Sequence, residues 1–252
     1  MKYPEITRLY KFYAYYENSL SVLINRTVWS AKPDSFNDPF DCKIPFNNYI
    51  NLQELEHFLP RYKNFKGISE KQLEEEMKKI RDSRGQVDAE FSKIWSIVLQ
   101  ASDDQLGNSG VFCLSQYNTN ILMWSHYADN HKGFCIEFVR SSQNDLGDYE
   151  KTRRVRYRPD YPSISPLSTD AFDLKFFTKA LDWKYEKEWR LVNEEGNIEK
   201  PLPGDISAII FGLRMAERHK ETIKNIMTDI PNIRYRQSTK MPNQFKLKVI
   251  DL

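Results

Sequence analysis

Residues 110–138, GVFCLSQYNTNILMWSHYADNHKGFCIEF, predict a strand, a short helix and a second strand in direct succession. Residues 111–114 and 134–138 are short runs of apolar, β-branched and aromatic side chains, a composition typical of buried strands. Between them, residues 118–120 offer the side chains that cap helix N-termini, and Gly133 suits the position just after a helix end. A helix of about three turns therefore fits between the two strands.

This central helix would carry several polar aromatic side chains. On an ideal helix Trp124, Tyr127 and His131 share one stripe, and His126 lies on the adjoining one. A histidine beside aromatic rings can orient a ribose or a phosphate, or transfer a proton. An aromatic helix packed on a sheet, with His126 bonded to a backbone carbonyl, fits the pattern as well. A metal site at His126, Asp129 and His131 is poorly supported, because residues five apart diverge widely around a helix.

The composition indicates a folded globular protein. With 252 residues the chain can bury a proper core, and hydrophobic and aromatic residues make up 40% and 13% of it. The net charge of +2 is close to balance. Any binding of nucleic acid would therefore have to come from a local patch of positive charge.

The three cysteines, Cys42, Cys113 and Cys135, show no CxxC spacing. Two of them fall inside predicted strands, where a thiol is usually a small buried hydrophobe, which favours a reducing compartment. The opening MKYPEITRLY has no apolar signal core, and no run approaches the roughly 18 apolar residues of a membrane helix. We expect a cytoplasmic protein with no membrane partner.

The whole pattern predicts a single α+β domain over residues 1–252, with a mixed, mostly antiparallel, split sheet and flanking helices. Further strands are expected at residues 9–13, 27–31, 152–158, 183–192, 206–213, 233–236 and 245–250. Further helices are expected from residue 18 or 19 to 25, at 170–181 and at 216–228. Residues 52–101 are charged and helix-favouring, so they predict a helical hairpin inserted within this domain, with a solvated charged face.

The predicted strand at residues 183–192, WKYEKEWRLV, carries the first candidate site. With period two, Glu186, Glu188 and Arg190 face the same way. Two carboxylates about 7 Å apart beside a guanidinium can serve as a base or bind ribose hydroxyls. An ordinary solvated strand face with cross-strand ion pairs explains the pattern equally well.

Residues 35–41, SFNDPFD, form a second candidate. The motif predicts a turn, because the residue before proline is extended and Asn37 can close an Asx-turn. The side-chain oxygens of Asn37 and Asp38 could also rim a ligand pocket.

The third candidate is the basic segment 152–158, TRRVRYR, whose alternation places Arg154, Arg156 and Arg158 on one face. These side chains could bind the phosphates of a nucleotide or nucleic acid. Protection of an edge strand by positive charge explains them as well.

Several familiar motifs are absent from the sequence. It contains no GxGxxG, GxxxxGK[ST], HExxH or GxSxG. Their absence weighs against a Rossmann dehydrogenase, a P-loop NTPase, a zincin and an α/β-hydrolase.

Five segments in order, SFNDPFD, GVFCLS, MWSHYADNHKGFCIEF, YEKEWRL and IIFGLR, resemble a widespread bacterial domain family of unknown function. That family occurs in mobile and phage-defence neighbourhoods and is related to abortive-infection proteins. The resemblance covers nearly the whole chain outside residues 52–101. It implies a bacterial toxin or an antiviral defence effector.

The layout also resembles that of ADP-ribosyltransferases, in which a His or Arg on the first strand and a Ser or Tyr on the second hold the nicotinamide ribose. A late-strand Glu there stabilises the oxocarbenium-like transition state. This resemblance assigns the glutamate role to Glu188, with Glu186 completing a Glu-x-Glu pair like that of arginine-directed members. Ser30 takes the second-strand role. Tyr10 and Lys11 stand where the first-strand His or Arg is expected, which is a departure from the family pattern.

The leading hypothesis is therefore a transferase that consumes NAD as a substrate, with Glu188 and His126 as catalytic residues. The acceptor would be a protein or a nucleic acid. The residues expected to bind NAD are Tyr10, Lys11, Ser30, Asn37, Asp38, Trp124, Tyr127, Glu186 and Arg190. One alternative is a metal-independent nuclease toxin with His126 and Glu188 as acid and base. Another is a non-catalytic nucleotide sensor or interaction subunit whose hairpin at residues 52–101 docks a defence partner.

Overall fold

A computed structural model describes residues 1–46, 106–164 and 170–252, together with isolated positions between 57 and 104 and Ser168. The hairpin predicted at residues 52–101 lies outside these described ranges. The described chain is mixed α+β, with a mostly antiparallel open sheet and a few helices, which confirms the predicted fold class at that level. In this part of the chain no helix is long and apolar enough to cross a membrane.

The strands of the described residues are β1 (Arg8–Tyr13), β2 (Thr27–Ser30), β3 (Gly110–Ser115), β4 (Phe134–Val139), β5 (Thr152–Arg154), β6 (Arg156–Arg158), β7 (Thr178–Ala180), β8 (Glu188–Asn193), β9 (Ile198–Pro201), β10 (Ile206–Phe211), β11 (Arg234–Lys240) and β12 (Leu247–Asp251). The helices are α1 (Glu17–Asn25), α2 (Ile121–Tyr127), α3 (Ala171–Phe176) and α4 (Glu217–Ile226). Short 3-10 helices occur at Pro33–Ser35 and Leu181–Glu186.

Eight strands form the main sheet, in the order β12-β11-β10-β4-β1-β3-β8-β5. Neighbouring strands are antiparallel except β10 and β11, which are parallel. Strands β2 and β9 form a separate antiparallel pair, and β6 and β7 a parallel one. The most apolar run, ISAIIF, is the interior strand β10, as its composition predicts, because a strand covered on both faces has no solvated side.

The alternation of side chains divides the core between the two faces of the sheet. On one face, Leu9 and Ile136 are fully buried in the cluster that includes residues of α1 and α4. On the other face, Phe12 and Cys135 pack with Trp124 of α2. Helix α2 therefore lies on the face opposite to α1 and α4.

The sheet opens between β1 and β3. Strand β1 pairs with β4 along its whole length, from Arg8 to Tyr13, but it pairs with β3 at one position, Tyr10 opposite Ser115. Beyond that position β3 remains paired with β8 over its full length. The divergence leaves space between two strands of one sheet.

Helix α2 is shorter than the sequence predicts. Its N-terminus is capped as expected, since the Asn120 side chain accepts hydrogen bonds from the backbone N–H groups of the first turn. It ends at Tyr127, and Asp129, Asn130 and His131 follow with φ of 44°, 52° and 70°. Asp, Asn and His tolerate the left-handed region better than other residues, so this run ends the helix before Gly133. His131 is therefore off the helix, although its ring stacks 6.3 Å from that of Trp124.

Two predicted strands are interrupted. The segment 152–158 is divided at the buried Val155, because β5 pairs with β8 whereas β6 pairs with β7. The segment 183–192 begins as a 3-10 helix and becomes β8 only after Lys187, whose φ is 48°. Local patterns do not reveal such changes of strand partner, because β propensity depends on tertiary context.

Other boundaries also differ. The helix predicted at residues 170–181 ends at Phe176, and β7 follows it. Helix α1 has Tyr16 at its N-cap, rather than Asn18 or Ser19. Residues 193–205, where the sequence predicts neither a strand nor a helix, contain β9.

Candidate functional site

A cavity of about 850 Å³ opens where β1 and β3 diverge. Its walls include Lys11 and Tyr13 of β1, residues 111–114 of β3, and polar side chains of α1. His126 and Tyr127 of α2 line another side. The volume falls within the range of about 300–1,000 Å³ that is typical of small-molecule and cofactor sites.

The structure brings most of the predicted site residues to this cavity. Both residues predicted as catalytic, His126 and Glu188, line it although they lie 62 positions apart in the chain. The other predicted residues that line it are Tyr10, Lys11, Asn37, Tyr127 and Glu186.

Two predicted ligand residues are instead enclosed by packing. Ser30 is fully buried, and its hydroxyl accepts a hydrogen bond of 2.8 Å from the Asn193 side chain. Trp124 of α2 is fully buried, and its indole N–H donates a hydrogen bond to the backbone carbonyl of Asn118. Neither side chain lines the cavity, so the structure does not support either as an NAD contact.

The SFNDPFD segment is a turn, as predicted. Asp38 is 7% exposed, and its carboxylate accepts a hydrogen bond from the backbone N–H of Phe40. This hydrogen bond closes the turn. Asp38 therefore stabilises the backbone and does not line the cavity. Its neighbours Asn37 and Asp41 do line it.

A network of five buried charged side chains forms one end of the cavity. The Lys179 ammonium lies 2.6 Å from Glu186, 3.1 Å from Glu188 and 3.4 Å from Asp41. The guanidinium of Arg190 lies 2.8 Å from Glu188 and 2.7 Å from Asp41. Arg190, which was predicted to contact NAD, is fully buried behind Glu188 and orders that carboxylate instead. Three carboxylates against two cations leave the network with one excess negative charge.

Sequence reasoning missed two members of this network. Lys179 falls in the segment predicted as helix, and Asp41 falls in the turn. One signal was available for the lysine, because it stands in the apolar run FFTKAL, and a lysine is rarely buried without an ionic partner. Strand β7 carries it to the carboxylates of Glu186 and Glu188.

Glu186 and Glu188 approach each other without sharing a strand face, which differs from what the period-two alternation predicts. Glu186 ends the 3-10 helix, and the left-handed Lys187 turns the chain before Glu188 begins β8. Ser115 holds this turn, since its hydroxyl donates to the carbonyl of Glu186 over 2.7 Å. The two carboxylates therefore converge on Lys179 although they do not share a strand.

The two carboxylates differ in their protonation. Burial alone would raise the pKa of Glu188, but Arg190 and Lys179 outweigh it and hold that pKa well below its usual range. Burial, followed by the charge of Glu188, raises the pKa of Glu186. Glu188 therefore stays ionised, whereas Glu186 is the better proton acceptor.

The neighbours of the carboxylates are held in one protonation state. Burial would lower the pKa of Lys179, but Glu188, Asp41 and Glu186 raise it, so the amine stays charged. Burial and then Glu186 raise the pKa of Tyr127, whose hydroxyl donates to Glu186 over 2.6 Å. Lys179 is therefore not available as an amine nucleophile.

The two thiols near the network are not activated. Burial raises the pKa of Cys42 to about 12, and burial followed by Glu188 raises that of Cys113. The thiolate is the reactive form of cysteine, so these residues act as small buried side chains.

His126 is an exposed side chain on the cavity wall. Its ring lies 6.3 Å from the ring of Tyr127 and 6.4 Å from that of Tyr185. The basic side chains Arg154, Arg156 and Arg158 are exposed as well, but none of them lines the cavity.

Comparison with known proteins identifies part of the chain. The model of a family described as protein of unknown function (DUF2971) matches residues 123–191, which run from within α2 to within β8. No curated protein and no solved structure matches the chain. The domain of unknown function predicted from the sequence is therefore confirmed over these residues, which include four of the five members of the charged network.

Proposed function

We propose that this protein binds NAD in the cavity and transfers its ADP-ribose to a macromolecular acceptor, as a bacterial toxin or phage-defence effector. The layout would be that of an ADP-ribosyltransferase. One observation carries the proposal. An ionised carboxylate, Glu188, and a carboxylate that accepts protons more readily, Glu186, open onto one nucleotide-sized cavity together with His126.

The two carboxylates suit the two charge movements of this reaction. The bond between ribose C1′ and the nicotinamide nitrogen breaks, and its electron pair leaves with neutral nicotinamide. Positive charge develops on the ribose, and the Glu188 carboxylate stabilises that charge. The same carboxylate accepts a hydrogen bond from a ribose hydroxyl. The acceptor then forms a bond to C1′, and its proton passes to Glu186.

The charge of the network favours a cationic reactant. The members of the network are nearly inaccessible to solvent, and a fixed charge acts more strongly in such a site than in water. NAD carries a positively charged nicotinamide ring, and the transition state carries positive charge on the ribose. Preorganised groups that match such charge typically contribute about 10²–10³ in rate.

The nuclease alternative is less well supported. In that alternative Glu188 is the base, but Arg190 and Lys179 hold its pKa well below the usual range, so this carboxylate accepts a proton poorly. The basic residues of β5 and β6 that were expected to bind the phosphates do not line the cavity. The sensor alternative rests on the hairpin at residues 52–101, outside the described ranges.

Transfer of label from NAD to bacterial lysate, with NAD loss followed in parallel, tests the proposal. We expect Glu188→Gln to lose both activities about 10²–10³-fold. Glu221→Gln on α4, an exposed carboxylate remote from the cavity, is the matched control and should retain them. We also expect His126→Ala to lose transfer activity. Because His126 is exposed, that loss cannot be ascribed to unfolding.

Absence of transfer and of NAD loss, with wild type and Glu188→Gln behaving alike, would refute the proposal. A rise in melting temperature with NAD but no turnover would favour the nucleotide sensor instead.

A further inference from the structure

A second charge cluster lies on the sheet, outside the cavity. Glu137 of β4 is 2% exposed, and three guanidinium groups converge on its carboxylate. Arg234 lies 2.9 Å from it, Arg8 3.4 Å and Arg236 3.6 Å. The Ser207 hydroxyl donates to the same carboxylate over 2.7 Å. We call Arg8, Arg234 and Arg236 the arginine cluster.

The arginine cluster carries more positive charge than Glu137 requires. Arg236 also pairs with Asp251 at 2.8 Å, so three cations face two carboxylates and one positive charge is in excess. The side chains of Arg8 and Arg234 are 37% and 53% exposed. Among the described residues, Arg8 donates one hydrogen bond to a backbone carbonyl and Arg234 donates one to Glu137. Each guanidinium has five N–H donors, so most remain open to a ligand.

The arginine cluster and Glu188, which lines the cavity, lie on one face of the sheet. Glu188 is opposite Ser115, Ser115 is opposite Tyr10, and Tyr10 is opposite Glu137. Residues directly opposite one another in antiparallel strands point to the same face. The row continues through Ala208 of β10 to Arg234 of β11. The two glutamates are three strand spacings apart, which is about 14 Å.

Tyr10 joins the two regions. It lines the cavity, and it lies directly opposite Glu137 in the pairing of β1 with β4. Burial, followed by the charge of Glu137, raises the pKa of Tyr10, so the hydroxyl remains protonated and serves as a donor. A ligand that spans the row would meet guanidinium groups at one end and an aromatic, negatively charged cavity at the other.

We propose that the arginine cluster binds the phosphodiester backbone of a single-stranded nucleic acid, one base of which reaches the cavity. Guanidinium groups pair with phosphate oxygens in a fixed fork, and aromatic walls accept an unpaired base. The inference rests on the proposed function in one respect, since it makes that base the acceptor of ADP-ribose. An N–H of the base would lose its proton to Glu186 as the bond between that nitrogen and C1′ forms.

Binding is measured by fluorescence anisotropy with labelled single strands of mixed sequence, DNA and RNA in separate arms, over a series of salt concentrations. The test variant is the double substitution Arg8→Ala with Arg234→Ala, because both side chains are exposed. The control is Arg218→Ala, an exposed arginine on α4 at the opposite face of the sheet.

We expect the double variant to bind at least tenfold more weakly. The slope of the logarithm of its association constant against the logarithm of the salt concentration should become smaller in magnitude by about 1.4. Two phosphate contacts are lost, and each contact to a single strand contributes about 0.7. The control should match wild type in both quantities. Failure of wild type to bind, or equal affinity and slope in the double variant, overturns the inference. If the wild-type protein binds a labelled duplex as tightly as it binds a single strand, the requirement for an unpaired base is overturned.

A parallel measurement of NAD binding separates the two proposals. The double variant should bind NAD as wild type does, because neither arginine lines the cavity. If the double variant loses NAD affinity as well, the cluster serves the dinucleotide and the nucleic-acid inference fails. If wild type binds single strands through the cluster but neither binds nor consumes NAD, the inference on binding stands and the proposed function fails.

Discussion

Glu188 and Glu137 lie in one row of the same sheet face, yet their surroundings differ in opposite ways. Glu188 belongs to a network of five side chains that are all nearly inaccessible to solvent. Their charges sum to one excess negative charge. Glu137 is equally buried, but its partners are partly exposed arginines with an excess of positive charge. The first arrangement faces a cavity, and the second faces solvent.

The comparison separates the two roles that a buried glutamate can have. Around Glu188 the cations hold the carboxylate ionised and leave negative charge available to a ligand. Around Glu137 the carboxylate holds the cations in place and leaves their donors available. The same residue type therefore leaves excess negative charge at one end of the row and excess positive charge at the other.

The largest expected effect is on the buried network. Replacing Arg190 by Met leaves Lys179 as the single cation for the nearly inaccessible carboxylates of Glu188, Asp41 and Glu186. We expect Arg190→Met to lower the free energy of unfolding by about 3–5 kcal/mol, measured by urea denaturation.

The matched experiment is the double variant Glu188→Gln with Arg190→Met. It should be less destabilised than the sum of the two single variants, because Glu188 and Arg190 pair directly and each single change removes the same ion pair. An Arg190→Met protein as stable as wild type would show that the network is solvated, and the contrast with Glu137 would disappear.

The next effect is on the pH dependence of transfer. The pKa of Glu186 is raised, so its base form is lost at a higher pH than for an ordinary carboxyl. Activity should therefore rise with pH through the pKa of Glu186 and then level off. Glu186→Gln should lower transfer by about 10²-fold and abolish this rise. The remote Glu221→Gln should keep the wild-type profile, and a rise that persists in Glu186→Gln would assign the base to another group.

The smallest effect is on the stability of the arginine cluster. Arg234 is 53% exposed, so its ion pair with Glu137 is screened by solvent, and Arg234→Ala should change the free energy of unfolding by about 1 kcal/mol or less. Glu137→Gln should cost about 1–3 kcal/mol, because the Glu137 carboxylate is buried and accepts hydrogen bonds from Ser207 and Arg234. Urea denaturation of both variants measures the difference. Equal losses would mean that Arg234 is needed for folding rather than held ready for a ligand.

Local sequence patterns determined much of the sheet. The apolar runs at residues 111–114, 134–138 and 206–211 are strands, since alternation and β-branched composition are properties of a few consecutive residues. The shared face of Glu188 and Arg190 on β8 also follows from period two. The Asn120 cap follows from a side chain that bonds its own neighbouring backbone.

Tertiary structure decided what surrounds those elements. Contacts between distant segments bring Lys179 and Asp41 to the same site as Glu188, and the strand order of the main sheet brings Arg234 to Glu137 from 97 residues away. The single pairing of Tyr10 with Ser115, which opens the cavity, is likewise a matter of how two strands diverge.

The sequence by itself determined which residues can form strands and which side chains share a strand face, because those properties depend on backbone geometry over a few residues. Only the folded chain decided which charges meet, and therefore which carboxylate stays ionised and which accepts a proton. The physical reason is that a pKa depends on burial and on charges a few ångströms away, and these neighbours come from distant parts of the chain.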